Sequence, residues 1–170
     1  MINTIVYNSC TGSCKKYAQL MSEATGLPAY SLKEYRRLKS RRSIVYVGWL
    51  FGGMIVGLNK ARLHGGVKAV CQVGMGPEMP ALEGIARKKN FLPFKKVPVF
   101  YFQGAFNLNK LPLPLKLIMK KKTQEIAAGL ALKSSRSAQE QATYDMAKNG
   151  VGEPAAWDVS KFVSWYNSRK

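Results

Sequence analysis

Short runs of β-branched and aromatic residues alternate along this 170-residue chain with segments whose apolar residues recur at helical spacing, and few folds accept that order. Thr4-Ile5-Val6-Tyr7 opens the series, and a helical pattern follows from Lys15, with Tyr17, Ala18, Leu20 and Met21 as its apolar residues. Residues 29–32 predict a weak second strand, 44–47 a third, 67–73 a fourth after the Gly65-Gly66 turn, and 97–102 a fifth. Pro98 cannot donate to a ladder, so it is expected at the start of its strand or on an edge. Helices are predicted over 54–63, 80–90 and 157–167, with a loop over 48–53. The last helix carries Val159, Phe162, Val163 and Tyr166 on one face and Asp158 near its start. Ile44 to Val47 is apolar on both faces, which suits a parallel strand covered on both sides. Strands separated by helices predict a doubly wound α/β sheet, in a single domain over 1–170.

The first strand-to-helix turn is the strongest candidate for chemistry. Ser9-Cys10-Thr11-Gly12-Ser13-Cys14 sits where a helix begins, and the first backbone N–H groups of a helix have no partner inside it. Hydroxyls of Ser9, Thr11 and Ser13 add donors, and Gly12 lets a phosphate approach the backbone. That donor set suits a phosphomonoester. Neither the Walker pattern nor the Gly-x-Gly-x-x-Gly dinucleotide fingerprint is present, because this turn has a single glycine.

With 46% hydrophobic residues, the chain can bury a substantial core without metals or disulfides, and three cysteines do not read as a disulfide framework. Met1-Ile2-Asn3-Thr4-Ile5 lacks the basic and apolar regions of a signal peptide, so a cytoplasmic location is expected. The uncharged run 43–59 could be taken for a short membrane span, yet it falls short of about 20 strongly apolar residues and contains a Gly-Gly pair, so a strand, loop and helix explain it better. Cys10 and Cys14, spaced Cys-x-x-x-Cys at a helix start, offer a competing thiol-redox reading. Cys71 and His64 complete no metal cluster with them, and no catalytic acid or base stands out.

Ser9-x-Thr11-Gly12, Trp49-Leu50-Phe51-Gly52-Gly53 and the stretch from Phe100-Tyr101-Phe102-Gln103-Gly104 to Lys110-Leu111 together resemble flavodoxin-domain proteins related to menaquinone-dependent protoporphyrinogen oxidase. The first motif is similar to the flavin mononucleotide (FMN) phosphate loop, with Cys14 where that family usually has a hydroxyl. The resemblance implies a flavodoxin-like doubly wound sandwich, its five-stranded parallel sheet ordered 2-1-3-4-5, with FMN at the carboxyl ends of the strands. It places the phosphate on Ser9, Cys10, Thr11, Gly12, Ser13 and Cys14, and the ring between Trp49, Leu50, Phe51 and Gly52 on one side and Gly74, Met75 and Gly76 on the other. Trp49 and Phe51 would stack on the ring, and backbone around Gly52, Gly74 and Gly76 would meet its polar edge. A quinone or small molecule is the implied redox partner; the alternative is a flavin-free binding module on the same fold.

Charge separates this chain from the typically acidic electron-carrier flavodoxins. Lys and Arg number 27 against 9 Asp and Glu, a formal net charge of +18, and the blocks 36–42 and 116–122 contain no acid. Such blocks attract polyanions. Lys116, Lys120, Lys121 and Lys122 beside Leu115, Leu117, Ile118 and Met119 predict contact with an anionic membrane surface, at the inner face of the membrane. Tyr35, Phe91 and Phe94 lie among basic residues without a recognised nucleic-acid reading motif, which ranks nucleic acid lower.

Overall fold

The computed structural model describes residues 1–38, 42–92 and 97–169. Residues 39–41 of the first basic block, and Phe94, lie outside the described residues. Strands β1 (Thr4–Asn8), β2 (Ala29–Ser31), β3 (Arg42–Phe51), β5 (Gly65–Gly74) and β6 (Val99–Gln103) form a parallel sheet in the order β2-β1-β3-β5-β6. A further strand, β4 (Met54–Ile55), folds back antiparallel on the end of β3. With that short strand set aside, the parallel strands follow the expected 2-1-3-4-5 order, and the α/β flavodoxin-like architecture holds.

Both faces of the sheet are covered, which explains the unbroken apolar runs. On one face Ile5, Val45, Val47, Ala69, Cys71 and Phe102 pack against α1 (Ser13–Thr25) and α7 (Ser160–Asn167), where Phe162 is fully buried. On the other, Val6, Ile44, Tyr46 and Val70 meet α2 (Leu32–Tyr35), α3 (Leu58–His64) and α4 (Ala81–Lys89). Lys68 is the extra residue where the β3/β5 register slips, and it stays exposed at the end of the sheet remote from the first turn. Arg87 of α4 is buried, and its guanidinium donates to Glu83 Oε1 (2.6 and 2.9 Å) and to Val97 O (3.0 Å), tying the helix to the approach to β6.

Three expectations need correction, and the first is the Gly65-Gly66 turn: both glycines already belong to β5, paired with Arg42 and Ser43. The predicted loop over 48–53 is strand as far as Phe51, because Gly48 serves close packing and does not turn the chain. A Cβ there would lie 2.7 Å from the Tyr46 ring and 2.8 Å from Ile55. The helix predicted from Met54 starts only at Leu58, after Gly57 takes φ 86°; a Cβ on Gly57 would strike the Tyr46 hydroxyl, which donates to Val56 O at 2.7 Å. Residues 43–59 are therefore strand, hairpin and helix start, and among the described residues no helix is long and apolar enough to cross a membrane. Pro98 immediately precedes β6, which lies at the sheet edge as expected.

After β6 the chain makes a 3-10 turn (Leu108–Lys110) and then the helical pair α5 (Leu113–Ala131) and α6 (Ala138–Asn149). A capping box fixes the start of α6: Ser137 Oγ accepts from Glu140 N, and Glu140 accepts from Ser137 N. The pair returns to the sheet region through an isolated bridge between Phe106 and Val151.

Candidate functional site

The carboxyl ends of β1, β3 and β5 and the segment after β6 surround a cavity of about 360 Å³. Ser9, Cys10, Thr11, Ser13 and Cys14 form one wall; Trp49, Leu50, Phe51 and Gly52 form the second; Val73, Gly74 and Met75 form the third. Ala105 and Phe106 close one end. Parallel strands pointing the same way bring these distant stretches together, and that is where open α/β sheets bind ligands. The volume falls in the range of small-molecule sites.

Gly12 stands at the N-cap of α1 with φ 107°, a conformation that favours glycine, and no side chain caps the helix. Its N–H instead donates to Ser9 Oγ at 3.1 Å. Ser13 Oγ accepts from Ala105 N at 3.1 Å, so the hydroxyls of Ser9 and Ser13 retain their own protons for donation. Thr11 makes no hydrogen bond among the described residues. Gly12 faces a second, more polar cavity of about 280 Å³, which also meets Thr11, Ser13, Lys16, Lys110 and Glu153. The loop thus separates an apolar cavity from a polar one that carries two lysines.

Trp49 and Phe51, two residues apart on β3, turn the same face to the apolar cavity, their ring centroids 5.9 Å apart at 63°. Trp49 is also packed against the core, whereas Phe51 is 39% exposed at the rim. Gly76 stands back from this cavity, and its carbonyl accepts from the Tyr101 hydroxyl. The carbonyls of Gly52 and Gly74 are likewise taken, by Lys89 Nζ (2.6 Å) and Gly104 N (2.7 Å).

Burial works against the redox role considered from the spacing of the thiols. Cys14 is buried, and burial pushes its thiol well above the ordinary value, outweighing the local backbone hydrogen bond. Cys10, partly exposed, is also raised by burial. Among the described residues no group of acidic, cysteine and histidine side chains is arranged for a metal ion.

Sequence reasoning missed two contributors. One face of α5 roofs the cavity: Leu115, Met119, Lys122 and Ile126, at 3.6 residues per turn, fall within a sector of about 60°. Their i, i+4, i+7, i+11 spacing was the available signal. The second is Asn90, just past α4, which holds the β3–β4 hairpin from behind. Its Oδ1 accepts from Ile55 N at 2.8 Å, and its Nδ2 donates to Gly53 O (3.1 Å) and Ala86 O (2.8 Å). Asn90→Ala strands the buried N–H of Ile55 and the Gly53 carbonyl, while Ala86 O keeps its bond from Asn90 N, and is expected to cost about 2–3 kcal/mol. Thermal melting should shift down by roughly 4–12 °C for a chain of this size.

No protein-family model and no curated protein matches the chain.

Proposed function

We propose that this is an FMN-binding, flavodoxin-like redox protein that passes electrons or hydride through the flavin to a quinone or small-molecule partner. The observation that carries the reading is the convergence, on one cavity, of an uncapped helix start rich in hydroxyls with a pair of aromatic rings. The resemblance to the flavodoxin-domain proteins supports it and is the ground for the quinone.

In this reading the free N–H groups at the start of α1 and the hydroxyls of Ser9, Thr11 and Ser13 hold the phosphate. Lys16 and Lys110, in the polar cavity on the far side of the loop, outnumber Glu153 there and leave a favourable net field. Trp49 and Phe51 present apolar faces to the isoalloxazine, and Leu115 and Met119 exclude water from the opposite side. The carbonyls of Gly52, Gly74 and Gly76 already have donors, so the polar edge of the ring is left to N–H groups of these strand ends. Bound FMN would supply one- and two-electron chemistry; the protein sets its access and surroundings.

The test is an absorption spectrum of the purified protein after incubation with FMN and gel filtration. Retained flavin absorbance at one equivalent is expected, with quenching of tryptophan fluorescence because Trp49 borders the ring. Trp49→Ala should weaken FMN by about 1–2 kcal/mol while preserving the fold. A chain that retains no flavin points to the alternative, a flavin-free binding module.

A further inference from the structure

Helix α5 has two unlike faces. Leu115, Met119, Lys122 and Ile126 look into the cavity, whereas Leu113 and Leu117 project on nearly the opposite side and Ile118 on the flank. These three are 70%, 61% and 50% exposed, an unusual display for aliphatic side chains on neighbouring turns. Lys120 and Lys121 stand exposed beside them. Lys116 is held at the same end by its bond to Asn109 Oδ1 (3.0 Å). No acidic residue occurs between Leu108 and Gln124, and the whole chain carries +18.

We infer that the amino-terminal half of α5 is a docking face for an anionic lipid surface. The helix lies in the plane of the headgroups, with Leu113, Leu117 and Ile118 entering the acyl boundary and the lysines meeting lipid phosphates. Charge complementarity selects an anionic occupant, and the exposed aliphatics select lipid among anions. A nucleic-acid backbone gains nothing from Leu and Ile, and single-strand binders use aromatic stacking. An acyl boundary gains from each aliphatic side chain removed from water. The structure also revises which residues serve: Leu115, Met119 and Lys122 belong to the cavity side, and Leu113 joins the outer face. Phe51 and Ile126, both partly exposed at the cavity, make its rim apolar on the same helix's inner side. The inference does not depend on FMN.

Cosedimentation of the full chain with phosphatidylcholine vesicles, with or without phosphatidylglycerol, tests it at low and high salt. Binding is expected only to the anionic vesicles, with release by salt. Lys120→Gln/Lys121→Gln should weaken binding roughly 30-fold, from about 1 kcal/mol per lysine. The charge-matched control Lys33→Gln/Lys68→Gln, on other elements, should change it far less. Leu113→Ser/Leu117→Ser should weaken it at least tenfold while FMN retention is unchanged. Leu117→Trp should fluoresce to the blue on vesicles and be quenched by brominated acyl chains. Equal binding to neutral vesicles, equal losses in the lysine pair and its control, or a Leu117→Trp signal that vesicles leave unmoved would each overturn the inference. Binding of a short DNA duplex as tight as that to anionic vesicles, and equally insensitive to the leucine changes, would overturn it too.

Discussion

Riboflavin is expected to bind this protein about a thousandfold more weakly than FMN. The difference is the phosphate, and the loop between β1 and α1 offers it several donors at once. The first N–H groups of α1 have no helical partner, and the hydroxyls of Ser9, Thr11 and Ser13 each keep a proton to give. Hydrogen bonds to a charged group contribute about 1.5–3 kcal/mol each, so losing three costs at least about 4 kcal/mol, which is the thousandfold. Thr11→Ala removes one such bond and should weaken FMN by roughly 1–3 kcal/mol while leaving riboflavin unaffected. Titration calorimetry with both ligands on both proteins reads all four values. Equal affinities for FMN and riboflavin would remove the phosphate from this loop even if the ring still bound between Trp49 and Phe51.

The largest effect on stability is expected at Phe162. This ring is fully buried on α7, meeting Phe100 edge-on at 5.9 Å and lying near Trp165 and Tyr166 at 5.9 and 6.2 Å. Phe162→Ala opens a cavity in this cluster of rings and should cost about 3–5 kcal/mol. Domains are commonly stable by about 5–15 kcal/mol, so this single change removes a large share. Chemical denaturation should show a lower midpoint with little change in slope. FMN affinity at low denaturant should be kept, because α7 contributes nothing to the wall of the apolar cavity.

What the sequence made legible, and what it hid, follows from the range of the interactions involved. β1 and the turn after it were readable because β-branched residues, one glycine and a helical pattern lie within twenty residues. Phe162 and Tyr166 were readable from the spacing of α7. Gly48 misled because a glycine that permits close approach looks the same in sequence as one that turns the chain; only the Tyr46 ring and Ile55, packed over it, distinguish the two. The delayed start of α3 has the same origin, since Gly57 is imposed by the Tyr46 hydroxyl. Asn90 could not be foreseen, because its partners Ile55 and Gly53 lie more than thirty residues earlier. Helix α6 is weakly amphipathic, and its Ser137/Glu140 capping box was its clearest local mark. At the site, the side chains placed by the resemblance gather at one cavity, with Gly12 turned to its neighbour and Gly76 set back.

The order of the sheet has a consequence for behaviour at high concentration. An open parallel sheet has two borders, and a long free border invites another molecule to add a strand. Here one border is β2, only three residues long, and the other is β6, five residues that start after a proline with no N–H to give. The last carbonyl of β6, that of Gln103, already accepts from the Tyr17 hydroxyl at 2.6 Å. One border is very short and the other opens on a proline, and like charge keeps copies apart, so both the geometry of the sheet and the charge of the chain work against strand addition.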